Sequence, residues 1–129
     1  MVMRTEKRVL LVDDSETIRT QFKMEFRKMK GYRIEVAPGG SEALFMLEEC
    51  LVNDPFEIVI CDWNMPEMEG LEVLDLVREH PNPKISKIAF IMLTSKDEKV
   101  ALAMDHGANN FIRKPIDPEL IYKKLCWVL

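Results

Sequence analysis

The residues able to do chemistry in this sequence are Asp13, Asp14, Asp62, Thr94 and Lys114. Each closes, or directly follows, a short hydrophobic run. Lys7-Arg8-Val9-Leu10-Leu11-Val12 leads into Asp13-Asp14, Ile58-Val59-Ile60-Cys61 into Asp62, Ile88-Ala89-Phe90-Ile91-Met92-Leu93 into Thr94, and Asn110-Phe111-Ile112-Arg113 into Lys114. Continuous apolar runs of this length suit strands buried on both faces, as in a parallel sheet. The carboxyl ends of parallel strands lie along one edge, where open α/β sheets gather their ligands. Three carboxylates meeting there would raise one another's pKa unless a cation sat among them. Oxygen-only ligands with room for water suit Mg²⁺ better than a softer metal. Lys114 adds a compact positive charge and Thr94 a hydroxyl, both suited to holding phosphoryl oxygens. A carboxylate nucleophile, a divalent metal, a lysine and a hydroxyl make a site for phosphoryl transfer through an aspartyl-phosphate. No histidine or further acid is placed to act as a general base. Hydrolysis should then be slow, as in a timed signal rather than a turnover enzyme.

The intervening segments must bring these residues together. Ile18, Phe22, Phe26 and Met29 recur at helical spacing and predict an amphipathic helix from about Ser15 to Lys30, stopped by Gly31. Arg19, Lys23, Arg27 and Lys28 form its solvated face. Tyr32 to Val36 alternates apolar and charged residues and reads as an edge strand. Ala43, Leu44, Leu47 and Leu51 line a second helix from Ser41 to Cys50. Leu71, Leu74 and Val77 line a third from Gly70 to His80, ended by Pro81-Asn82-Pro83. A short fourth helix from Asp97 to His106 turns Val100, Ala101 and Met104 inward. Asp117 and Pro118 start a fifth, with Leu120, Ile121, Leu125 and Val128 toward the core. Five strands alternating with five helices imply parallel strands joined by right-handed crossovers. The expected fold is α/β, a doubly wound five-stranded parallel sheet in the order 2-1-3-4-5.

Composition narrows the class. A chain of 129 residues with 47% hydrophobic and 31% charged residues fits one soluble globular domain over 1–129. Its net charge of -4 argues against direct nucleic-acid binding. Cys50, Cys61 and Cys126 have no metal-ligand spacing and read as buried thiols of a reducing compartment. Met1 to Arg8 is charged and no apolar run reaches membrane length, so a cytoplasmic protein without membrane contact is expected.

The motifs Val12-Asp13-Asp14-Ser15-Glu16-Thr17-Ile18-Arg19, Asp62-Trp63-Asn64-Met65-Pro66-Glu67-Met68-Glu69-Gly70, Leu93-Thr94-Ser95 and Lys114-Pro115 resemble the signature set of two-component response regulator receiver domains. Gly40-Ser41-Glu42-Ala43-Leu44 resembles that family's second-helix start. The resemblance spans nearly all of Lys7 to Val128, and the Asp62 loop is especially similar to the CheY-like chemotaxis members. It implies a flavodoxin-like, CheY-like fold, with Asp62 as phosphoacceptor and Asp13 and Asp14 as Mg²⁺ ligands. Asn64 would add its backbone carbonyl to the metal, and Thr94 and Phe111 would form the switch pair. It further implies a cis Lys114-Pro115 bond. A histidine kinase or phosphotransfer protein would be the donor, and a protein target would dock on the fourth helix, fifth strand and fifth helix. Two departures from the chemotaxis members stand out: a shorter segment from Thr94 to Lys114, and Lys96 where an acidic residue is usual.

Other readings stay open. The chain could be a receiver unit excised from a longer regulator. An aspartyl-nucleophile phosphatase would require a second acid at the position of Asn64. A flavin binder would place its phosphate loop after the first strand, where Asp13-Asp14 would repel the ligand. Trp63 is expected to be partly exposed beside Asp62. Met65 and Met68 are candidates for an adaptable contact, and His80 and His106 read as surface groups.

Overall fold

In the computed structural model, which describes residues 6–128, every one of the apolar runs is a strand. The segment through Thr5, on which part of the leader reading rests, and the terminal Leu129 lie outside the described residues. The strands are β1 (Lys7–Val12), β2 (Tyr32–Ala37), β3 (Ile58–Asp62), β4 (Ala89–Thr94) and β5 (Asn110–Arg113). They form one parallel sheet in the order β2-β1-β3-β4-β5, as expected. The helices are α1 (Glu16–Phe26), α2 (Gly40–Glu49), α3 (Gly70–Arg78), α4 (Pro83–Ser86), α5 (Asp97–Asp105) and α6 (Pro118–Val128).

There is thus one helix more than expected. Pro81-Asn82-Pro83 ends α3, but it also starts the single turn α4: the Asn82 side chain accepts from the Lys84 amide, and Pro83 supplies the first-turn φ. The fourth and fifth helices of the sequence reading are therefore α5 and α6. Ser15 caps α1 by accepting from the Ile18 amide, and Gly31, at a φ of 89°, turns the chain into β2.

The period-two alternation of β1 divides the core. Leu10 and Val12 face a layer containing Ala43 and Leu47 of α2, Val73, Leu74 and Val77 of α3, Ile85 of α4 and Ala103 of α5. Val9 and Leu11 face Phe22 and Phe26 of α1 and Ile121 and Leu125 of α6. The strands β1, β3 and β4 are buried almost throughout, whereas β2 alternates in exposure at its edge. Arg8 is the exception within β1: it is buried, stacks 4.1 Å over the Phe56 ring and pairs with Glu35 and Asp54. Among the described residues no helix is long and apolar enough to cross a membrane.

Two faces differ from expectation. In α5 only Ala103 is buried, while Ala101 and Met104 are exposed and Val100 is partly covered. Val100 to Met104 is apolar at every position, so periodicity could not fix the helix phase. The small Ala103 is what lets the helix approach the sheet. Leu120, expected in the core, is exposed on the first turn of α6.

Arg78 ties this half of the molecule together. It donates to the carbonyls of Gly107 (2.9 Å), Ser86 (2.9 Å) and Ile88 (2.7 Å) and to Asn109 Oδ1 (3.0 Å). Asn109 Oδ1 in turn accepts from the Phe90 amide at 2.8 Å. Burial pushes the Arg78 guanidinium pKa down from its ordinary value. Removing this side chain leaves several carbonyls without a donor. Arg78→Ala is expected to cost about 2–4 kcal/mol of unfolding free energy in urea titrations. Arg78→Lys should recover only part of that loss, since an ammonium cannot reproduce the fork.

Candidate functional site

The sheet register assembles the site. Val12 pairs with Cys61, Asp62 with Leu93 and Thr94 with Arg113, so the polar residues ending β1, β3 and β4 and following β5 converge on one edge. Oxygen atoms of Asp13, Asp14 and Asp62 lie within 4.8 Å of one another. Asp13 and Asp62 are buried, and Asp14 is exposed. The Lys114 ammonium stands 3.1 Å from Asp62 Oδ1 and 3.4 Å from Asp13 Oδ2. The Lys114 amide donates to the Thr94 carbonyl at 2.9 Å, and the Lys114-Pro115 bond is cis. Thr94 is buried and its Oγ1 accepts from the Lys96 amide at 3.2 Å, which leaves its proton available to the site.

Burial raises the Asp62 pKa above the ordinary aspartate value. The neighbouring charge of Asp13 adds to this, and Lys114 opposes it only in part. For Lys114, burial works to lower the pKa, but the charges of Asp62 and Asp13 prevail and raise it. The ammonium therefore stays charged. Beside them, burial pushes the Cys61 thiol well up, with the Asp62 and Asp13 charges adding to the effect. Cys61 is a hydrophobe here, not a nucleophile.

Asp13 is fixed at both its groups. Its Oδ1 accepts from the Ser15 amide at 2.9 Å, and its carbonyl accepts from Arg19 at 2.8 Å. Its Oδ2 is buried and accepts no hydrogen bond, and the Lys114 ammonium stands 3.4 Å away as an ion-pair partner. A buried carboxylate oxygen without a donor, beside two further carboxylates, fits a hard divalent cation such as Mg²⁺.

The loop after Asp62 departs from expectation. Trp63 is 3% exposed and Met65 7%, so both are core residues rather than partly exposed groups, and Met68 packs against the same core. The reason is a fold-back: the Trp63 amide donates to the Leu93 carbonyl (2.9 Å) and the Trp63 carbonyl accepts from the Gly70 amide (2.8 Å). A Cβ on Gly70 would stand 2.3 Å from the Asp62 carbonyl oxygen, so this approach needs glycine. At the loop tip, Met68 N–H donates to the Pro66 carbonyl across Glu67, whose φ is 69°. This is a strained three-residue turn close to Asp62. Asn64 is exposed, and its Oδ1 accepts from Lys99 at 3.2 Å.

Other residues assigned from sequence divide. The Phe111 ring is half-buried, 4.2 Å from the Lys124 ammonium and 6.0 Å from the Arg113 guanidinium. Arg19, read as a solvated helix residue, instead positions Asp13. His106 bonds Asp75 at 2.8 Å, and His80 lies 3.4 Å from Glu48, so neither is a simple surface group and both serve helix contacts. Arg78 and Arg19 carried no sequence signal beyond their charge, because their partners, Asn109 Oδ1 apart, are main-chain carbonyls.

With this geometry in view, the similarity to known proteins is extensive. The response regulator receiver domain family matches residues 9–126. A chemotaxis protein CheY homolog of Campylobacter jejuni is 36% identical over 120 residues, covering 92% of this chain and 88% of that protein. Chemotaxis protein CheY1 of Helicobacter pylori is 36% identical over 124 residues, covering 95% and 96%. The solved structure of chemotaxis protein CheY4 of Vibrio cholerae superposes with a TM-score of 0.84 at 33% identity, covering 96% of this chain and 99% of that one.

Two outcomes follow from the geometry. Because the folded protein holds the Asp62 proton more tightly than the unfolded chain, stability falls as pH rises from the ordinary aspartate range, near about 4, through the raised pKa. Asp62→Asn should therefore raise the urea midpoint at neutral pH, with the gain fading as the buffer is acidified through that window. A gain that is equal at both ends would contradict the stated cause. Gly70→Ala should lose about 2–4 kcal/mol of stability by displacing the Asp62 backbone, read by the same titration.

Proposed function

Because this chain belongs to the response regulator receiver domain family, we propose that Asp62 is its phosphoacceptor and that the domain is a phosphorylation-driven switch of a two-component relay. The observation that carries this reading is the cluster of Asp13, Asp14 and Asp62 with Lys114 bridging two of the three. The donor is a phosphohistidine of a histidine kinase or a phosphotransfer protein. A carboxylate oxygen of Asp62 attacks phosphorus, the P–N bond breaks, and the imidazole leaves with the bonding pair. An acyl phosphate then stands on Asp62. Lys114 neutralises charge on the transferred group, and the Thr94 hydroxyl donates to one of its oxygens. Asp13, Asp14, Asp62 and the backbone carbonyl of Asn64 would hold Mg²⁺, whose charge offsets that of the phosphoryl oxygens.

The acyl phosphate hydrolyses slowly, because the carboxylates facing Asp62, those of Asp13 and Asp14, would be committed to Mg²⁺ and so could not serve as a general base, and the protein is a self-limiting switch rather than a turnover enzyme. Readout follows from Thr94. Drawing its hydroxyl toward the phosphoryl group pulls on the segment before α5, and the half-buried Phe111 ring repositions with it. The surface altered is α5-β5-α6, where Leu102, Met104, Leu120 and Trp127 are exposed. A protein target docks there. That the similar proteins of Campylobacter jejuni and Helicobacter pylori are chemotaxis proteins favours chemotaxis as the setting. The phosphatase alternative loses support because Asn64 stands where the second acid would be, with its side chain turned to Lys99.

Incubation with Mg²⁺ and acetyl phosphate, followed by intact-mass measurement, tests this. A covalent phosphoryl adduct is expected on the wild type, none on Asp62→Ala, and none after chelation of the metal. An adduct that persists in Asp62→Ala would refute the assignment.

A further inference from the structure

The packing of α5 is lopsided. At its carboxyl end the helix is pinned by Arg78 to the Gly107 carbonyl, by His106 to Asp75, and by the buried Ala103 and Ala108. At its amino end, next to Thr94, it buries nothing: Lys96, Asp97 and Glu98 are exposed. Among the described residues three side-chain contacts hold that first turn: Thr94 Oγ1 accepts from the Lys96 amide, and two more reach neighbouring elements. Asp97 pairs with Arg113 of β5, and Lys99 crosses to the loop after Asp62.

The Lys99 contact reaches the site itself. The Lys99 ammonium donates to Asn64 Oδ1 at 3.2 Å and lies 5.0 Å from the centre of the Trp63 ring. Trp63 and Asn64 are the two residues directly after Asp62. Trp63 is buried and immobilised by backbone bonds to Leu93 and Gly70, so it is a rigid anchor. One lysine therefore fastens the weakly packed end of α5 to the loop that follows Asp62.

We infer that Lys99 is a positioning residue that tethers the first turn of α5 to the Asp62 loop and holds the domain in its unphosphorylated arrangement. The inference rests on the reading of Asp62 as phosphoacceptor. Movement of Thr94 toward a phosphoryl group displaces the start of α5, and the tether must stretch or release for that to occur. Any interaction made in only one of two states biases the equilibrium between them by its own free energy. Removing it favours the switched state, and by linkage favours whatever binds that state. The departure at Lys96 gains a context here: this turn carries two lysines close to an acidic site, and only Lys99 is bonded to its loop.

The test uses the full chain with Trp127→Phe, so that Trp63 is the sole tryptophan. Beryllofluoride with Mg²⁺ serves as the phosphoryl analogue. A combined cation–π and hydrogen-bond contact at an exposed position predicts that Lys99→Met binds the analogue about three- to tenfold more tightly than its parent. Lys99→Arg, which retains a cation and donors, should stay within about twofold of the parent. In an Asn64→Ala background the effect of Lys99→Met should shrink, since part of the contact is already gone. Without metal or analogue, Trp63 emission should shift in Lys99→Met and not in Lys99→Arg. Unchanged analogue affinity and unchanged emission in Lys99→Met, with a responsive parent, would overturn the tether alone. An equal effect of Lys99→Met with and without Asn64 would overturn it as well. A parent that binds no analogue would overturn the receiver reading and the tether together.

Discussion

Two carboxylates that repel each other are held side by side in a nearly dry pocket, and much of the structure serves to keep them there. At separations of a few ångströms, like charges cost several kcal/mol even at the effective dielectric of a protein surface, about 20. Lys114 offsets part of this, yet burial and Asp13 still leave the Asp62 pKa raised. The sheet must supply the rest. Its three central strands are apolar almost throughout, and each fully buried aliphatic side chain contributes about 1.5–3 kcal/mol. A flexible loop could not hold Asp13 and Asp62 together against this repulsion. Adjacent paired strands can, because the register of β1 on β3 leaves their ends no freedom to separate.

Rigidity is distributed unevenly for the same reason. The loop after Asp62 is closed by backbone bonds at Trp63 and Gly70 and by a Cβ-free approach. That stiffness keeps the proposed nucleophile in place when charge is added. By contrast, α5 buries one residue and is fixed at its far end by Arg78. The segment following Thr94 is therefore the part of the site edge with the least to lose by moving. A strong mount for the proposed nucleophile beside a weakly held helix is the arrangement a switch requires, since a few kcal/mol then decides between states.

Several sequence readings failed where side chains meet main chain. Arg19 reads as a surface charge in the sequence and Arg78 carries no signal there, but each satisfies carbonyls that only the assembled fold places within reach. Trp63 reads as partly exposed because it neighbours Asp62. In fact the fold-back of the loop turns its ring into the core. The phase of α5 was unreadable because Val100 to Met104 offers no polar residue to mark a face. The extra turn at Pro83 was masked by a motif that both ends one helix and starts another.

The sequence by itself determined the sheet, its strand order and the polar residues at the edge where its strands end. Fully apolar runs have no stable place except the middle of a covered parallel sheet, and a polar residue that ends such a run must emerge at the strand end. Tertiary structure alone decided how tightly each part is held. Whether a lysine bridges two aspartates, crosses to Asn64 or lies in water depends on distances between strands and helices remote in the chain. No local pattern encodes those distances, because they arise from packing of the whole core.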